Sequence, residues 1–196
     1  MGTLAQAKTY GGVGSILLLL SVVPSVGFAL GIAGFVLILV AVKYISQNVG
    51  DPSIFDNMVY FVVVGLVGFL IAFFLVFAAI FPFLGAGLPT PETPVDLLDP
   101  ATLAASVTIL IGLAIGWILL VVAAVFLRRS FSSIAGRLGV SMFATAALLY
   151  FIGAILLIVL IGLLLIFIAE ILMVVAFFSI PEQLPAPGIG QPPTIP

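Results

Sequence analysis

Glu170 is the one ionisable side chain in the run LLLIFIAEILMVVAFF, residues 163–178. A lone acid in such surroundings can bind a proton, hold a cation, or bond one helix to another. An ionised carboxylate at the centre of a bilayer costs about 2.5–3.5 kcal/mol on insertion scales. No Lys or Arg of the sequence is expected at comparable depth, so the acid should be neutral and donate a hydrogen bond. A helical turn near Leu160 and Ile161 brings Glu170 back to the neighbourhood of Phe151, one residue from Tyr150. Tyr10, Tyr44 and Tyr60 fall near a membrane interface, where tyrosine is at home. Tyr150 lies deep, and a buried phenol normally has a partner. The expected pair is a Glu170–Tyr150 hydrogen bond, serving either as a proton or cation site or as a contact between helices.

Little else in the chain resembles chemistry. It has no His and no Cys, which removes the commonest general base, the thiol nucleophile and the usual zinc, copper and haem ligands. No paired carboxylates, activated nucleophile or phosphate-binding loop can be read. Catalysis, a cofactor and a metal are therefore not expected. A formal net charge of −2 offers no footprint for nucleic acid. Glu92, Asp96 and Asp99 lie between prolines, which makes a stiff solvated loop rather than a cation cage of several oxygens.

The elements that must position Glu170 are membrane helices. Of the 196 residues 64% are hydrophobic and 6% charged, against about 25% charged in soluble domains. Lys8 followed by Val13–Val23 has the outline of a signal peptide, and we read it as a first membrane helix. Residues 10–42 carry no charge. As one helix they would be about 50 Å long, well beyond a hydrocarbon core of about 30 Å. Pro24 and Gly27 divide them into a hairpin. The pairs Asp51–Pro52 and Asp99–Pro100 are start signals for two further helices. The apolar run after Arg137 again exceeds one span and divides near residues 159–162.

The resulting fold class is all-α, a polytopic transmembrane bundle of six spans with two tight hairpins. The spans cover about 4–23, 26–47, 57–81, 101–127, 138–159 and 162–180. A single long fifth helix would instead make five spans and leave Glu170 at the outer surface. A proline-rich loop at 82–100 and an extended or disordered tail at 181–196 complete the chain, whose membrane domain is 1–180. With the N-terminus inside, all of Lys8, Lys43, Arg128, Arg129 and Arg137 lie on the cytoplasmic side, and the 82–100 loop lies outside without a base. The C-terminus is then also cytoplasmic. The two ends of the chain, YGGVGSILLLL…FVLILVAVKYIS and YFIGAILLIVL…EILMVVAFFSI, each place a hairpin, an arrangement from which transporters are often built.

The segments GGVGSILLLL, AVKYIS before a short acidic loop, and FIAEILMVVAFFSIP before a proline-rich tail are similar to an uncharacterised archaeal family of integral membrane proteins, a domain of unknown function. The resemblance covers nearly the whole chain. It implies an archaeal membrane protein and assigns no activity or functional residue.

Two further patterns concern packing and lipid. Gly27 with Gly31, and Gly112 with Gly116, have the small-xxx-small spacing that lets helix backbones approach, within the chain or between copies. Gly11, Gly14, Gly65 and Gly68 add pairs three apart. Arg128, Arg129 and Arg137 bracket Phe131, Ile134 and Leu138, the pattern of a short amphipathic segment on lipid headgroups. The partners expected are the bilayer, a second copy and other membrane subunits, with the chain acting as a non-catalytic accessory or structural subunit. The alternative is a small transporter or channel built on Glu170.

Overall fold

The computed structural model describes residues 3–86 and 99–182. The central part of the 82–100 loop, with Glu92 and Asp96, and the tail from residue 183 lie outside the described residues. Every regular element described is helical. In chain order these are α1 (Leu4–Leu19), α2 (Gly27–Val49), α3 (Pro52–Ala86), α4 (Pro100–Leu138), α5 (Met142–Leu156) and α6 (Ile161–Phe178). The helices α2, α3, α4 and α6, and α5 taken with the 3-10 segment that follows it (Met142–Val159), are long and apolar enough to cross a membrane; α1 has 16 residues.

Local chemistry accounts for the boundaries. Thr3 caps α1 in a reciprocal capping box with Gln6. The Asp51 carboxylate accepts from the backbone and hydroxyl of Ser53 at the start of α3. Asp99 accepts from the N–H groups of Ala101 and Thr102, with Pro100 in the first turn of α4. These satisfy helix-end donors that would otherwise lack partners. Gly50 and Gly139, both in the left-handed region, stop α2 and α4 where a side chain would be strained.

The chain folds as three antiparallel hairpins, α1/α2, α3/α4 and α5/α6. The first and third turn through a short 3-10 segment, Leu20–Val22 and Leu157–Val159, followed by a non-glycine residue at positive φ: Ser25 at 71° and Leu160 at 63°. The chain therefore reverses at Leu160, and the alternative of one long fifth helix is excluded. Each hairpin crosses at glycine. A Cβ on Gly14 would lie 2.7 Å from the Gly34 carbonyl oxygen, and one on Gly153 would lie 3.0 Å from that of Gly162. In α3/α4, a Cβ on Gly68 would meet the Leu119 Cβ at 2.7 Å, and one on Gly116 the Ala72 Cβ at 2.8 Å.

The hairpins are packed at one end and open at the other. The start of α1, end of α2, start of α3, end of α4, start of α5 and end of α6 share one core, including Ile45, Ile54, Phe131, Ile134, Phe143 and Phe177. Phe131, Phe143 and Phe177 meet pairwise edge to face, with centroids 5.0–6.3 Å apart. Phe177 and Phe178 also lodge where side chains on Gly11 and Gly12 would stand, which joins the last helix to the first. Ser130 donates to the Ile54 carbonyl at 2.7 Å, tying α4 to α3. At the other end, α3 and α4 run on for 35 and 39 residues, about 50–60 Å. The two short hairpins reach only about 30 Å. The distal half of α3/α4 stands clear of them and exposes Phe73, Phe74, Phe77 and Phe81.

Two boundary readings change. Helix α3 begins at Pro52 and continues through Pro82 to Ala86, so the 82–100 loop starts later than its first proline. Helix α4 does not end at Leu127 but continues to Leu138. Phe131, Ile134 and Leu138 are buried in the shared core, so this segment does not lay its apolar face on lipid. The pattern i, i+3, i+7 marks one helix face either way, and only the neighbouring helices settle what covers it.

Candidate functional site

Glu170 stands mid-way along α6, and α6 is held against α5 by the Gly153–Gly162 crossing. Tyr150 lies on α5 beside it. Both line a cavity of about 140 Å³ together with Leu18, Phe35, Ile38, Met58, Phe61, Leu127 and Met173. These residues come from all six helices, so the cavity is where the three hairpins converge. Its polar functions are the Glu170 carboxyl and the Tyr150 hydroxyl; the rest of the lining is aliphatic, aromatic or thioether. The Tyr150 ring packs edge to face on Phe61 with centroids 5.9 Å apart, and Phe61 meets Phe35 at 6.1 Å.

The expected Glu170–Tyr150 pair is brought together but not bonded. The two share the cavity and interact electrostatically, yet no hydrogen bond joins them among the described residues. Antiparallel neighbours on a hairpin meet in register, and Tyr150 lies nearer the turn than the position opposite Glu170. Both side chains line the cavity without a bond between them.

The depth of Glu170 also differs from expectation. Leu127, which shares its cavity, immediately precedes Arg128. Tyr150 precedes Phe151, over whose ring the Arg128 guanidinium sits at 5.7 Å. The acid is central in its own helix but level with the basic segment of α4. Even so, Arg128 forms no ion pair with it. The ion pair found among the described residues is Arg137–Asp51, 3.2 Å long, at the packed end.

Arg128, Arg129 and Arg137 are all exposed, Arg137 in its pair with Asp51, although the intervening apolar residues point inward. Arg129 and Lys43 lie over the rings of Phe126 and Phe55 at 5.8 and 5.9 Å. Asp51, between α2 and α3, has its carboxyl held below the usual range, first by the Ser53 hydroxyl, against the opposing effect of burial, with a further contribution from Arg137.

Apart from Gly65, whose added Cβ would stand 3.8 Å from that of Ala123, the glycines singled out from spacing meet neighbours closely. Side chains on Gly112 and Gly116 would strike Leu75 and Ala72 of α3, and side chains on Gly27 and Gly31 would strike Ser21 in the first turn. These four contacts are inside the chain. Sequence reasoning missed Phe35, Phe61, Met58 and Met173 as lining of the Glu170 cavity. It also missed Gly34 and Gly153 as crossing points. A second small residue opposite each would have been the signal, but that needs the register between helices.

Residues 30–171 match the family model described as a protein of unknown function, DUF996. The chain is 37% identical over 181 residues to the uncharacterized protein MJ1644 of Methanocaldococcus jannaschii, an alignment that covers 92% of this chain and 95% of that one. No solved structure matches the chain significantly.

Proposed function

The chain belongs to the DUF996 family, and from that premise we propose that it is a non-catalytic integral membrane protein acting as an accessory or structural subunit of a membrane assembly. The observation that carries this reading is the distal half of α3/α4. Phe74 and Phe81 of α3 and Leu110 of α4 are each about 60% or more exposed, along a paired rod that the short hairpins do not reach. A contiguous apolar surface of this kind is covered by lipid tails or by another membrane subunit. A second copy of the chain is the simplest such subunit, and a nucleic-acid partner has no place in this reading. Cross-linking through Phe73→Cys in native membranes should give a discrete larger species. A chain that stays monomeric and captures no membrane partner there would end the subunit reading.

The topology belongs to the same proposal. Both termini are cytoplasmic and the 82–100 loop is outside, because Lys8, Lys43, Arg128, Arg129 and Arg137 then share one side. The chain has no cysteine, so single thiols report cleanly. Ser179→Cys should react with an impermeant reagent only after permeabilisation, and Ala101→Cys in intact cells. Ser25→Cys, at an apolar hairpin tip, should resist both. Reaction of Ser179→Cys in intact cells would overturn this orientation.

A second reading, a small transporter or channel, is favoured by one observation: the Glu170 cavity draws a residue from every helix. A site at the junction of three hairpins can change its access when they move against each other. Ion flux in proteoliposomes that is lost in Glu170→Gln supports it, and flux unaffected by the substitution removes it.

A further inference from the structure

We propose that the cavity between the three hairpins is a binding site for a small organic ammonium ion, with Glu170 as its counter-charge and Phe35, Phe61 and Tyr150 as its aromatic wall. This deepens the second reading above by naming the ligand class, but it does not require that the bound cation be carried across the membrane.

A carboxyl group set among apolar side chains either stays protonated or takes up a compensating charge or donor. No basic side chain lies within 4 Å of Glu170, and the Tyr150 hydroxyl does not reach it. A cation in the cavity they share would supply that charge. Hard metal ions want about six or more oxygens, while this cavity has one carboxyl and one phenol. The chain has no His or Cys to serve softer metals. The wall has instead three aromatic rings and the thioethers of Met58 and Met173. Aromatic faces attract alkylated ammonium groups, which lose little hydration on entering, and this is the mode of known quaternary-ammonium cages. Polarizable thioethers adapt to the alkyl part.

Size agrees with chemistry. A cavity of about 150 Å³ accepts benzene, so about 140 Å³ accommodates an ammonium ion of about five or six heavy atoms. The cavity also has a second feature of ligand sites in helical bundles, convergence of several helices on a mostly apolar space with few polar groups.

The test is calorimetric titration of tetramethylammonium into the full chain in lipid nanodiscs, with sodium and potassium chloride as controls. The expected result is saturable binding with one ion per chain. Glu170→Gln should weaken it at least roughly tenfold, as expected for loss of a desolvated charge partner. Phe61→Leu should weaken it by about threefold, as expected for one ring of a cation–π wall. Phe61→Leu keeps the carboxylate, so it decides the matter if Glu170→Gln does not fold. Absence of saturable binding by the unaltered chain would overturn the proposal, as would undiminished affinity in Phe61→Leu or equal binding of sodium. Flux measured on the same preparations separates the two ideas: binding without flux leaves this site and removes the transport reading, and flux without tetramethylammonium binding does the reverse.

Discussion

The short hairpins α1/α2 and α5/α6 differ from the long hairpin α3/α4 in what their glycines touch. In the short pair, glycine faces glycine, and an added Cβ would come within 3.0 Å of the partner helix's backbone at both the Gly14–Gly34 and the Gly153–Gly162 crossings. In the long hairpin, glycine faces the Cβ of Leu75, Leu119 or Ala72. The short hairpins end in tips with the exposed apolar residues Val22, Phe28, Ile158 and Leu160. Without long helices to add contact area, they gain their adhesion from close backbone approach, where many weak dispersion contacts add up. The long hairpin has length to spare and needs less from each contact. Backbone proximity therefore matters most where the helices are shortest.

This contrast can be broken at its strongest point. Gly162→Val would drive a branched side chain into the Gly153 carbonyl and the backbone of Leu156 and Leu157. We expect a loss of about 3 kcal/mol or more, or failure to fold, read by unfolding in mixed micelles. Gly65→Ala on the long hairpin should be harmless, because its Cβ would stand 3.8 Å from that of Ala123, an ordinary contact. Equal damage from the two would mean that glycine placement is incidental.

The packed and open ends of the molecule give the next contrast. Phe177→Ala removes a fully buried ring that touches Phe131, Phe143 and Gly11, and should cost about 3–5 kcal/mol. Phe73→Ala, on the exposed rod, should change stability by less than about 0.5 kcal/mol while abolishing any association through that face. Both are measured by thermal unfolding of detergent-solubilised chain, with sedimentation for the second.

The contact between long and short hairpins is smaller. Trp117 of α4 donates its indole N–H to the Ala154 carbonyl of α5 at 2.9 Å. Trp117→Phe should cost about 1 kcal/mol and loosen α5/α6 specifically, seen as faster hydrogen exchange there. The smallest effect belongs to Asp51. Its folded carboxyl titrates below the ordinary value of 3.8, so its contribution is present above that pH and is lost as pH falls through the lower folded value. Asp51→Asn should flatten the acid limb of stability below about pH 4 and leave the neutral range almost unchanged. An unaltered acid limb would show that another group governs it.

Parts of this molecule could be read directly from residue types. Asp51 and Asp99 announce α3 and α4 because their carboxylates cap N–H groups nearby in the chain, and Pro24 with Gly27 announces the first reversal. The reversal at Leu160 carried a weaker signal, Gly162 and excess length alone. Helix α4 was read too short because Arg128 and Arg129 resemble a membrane boundary, although arginine is a good helix former. The Glu170–Tyr150 neighbourhood was legible from counting back from the turn, but the absence of a bond between them was not. Side-chain reach across a hairpin depends on crossing angle and register, which no local signal encodes.

By itself the sequence determined that the chain is all-helical, apolar enough for a bilayer and divided into six helices, because hydropathy, capping and turn chemistry act over a few neighbouring residues. Only the tertiary structure decided which faces meet. Apolar side chains cover nearly the whole circumference of these helices, so periodicity cannot tell a face that packs on protein from one left for lipid. The inward turn of Phe131, the pairing of Gly14 with Gly34, and the meeting of Glu170 with Phe35, Phe61 and Tyr150 all follow from shape complementarity between distant segments. That information lies in how the hairpins fit together, and each hairpin alone is compatible with several other fits.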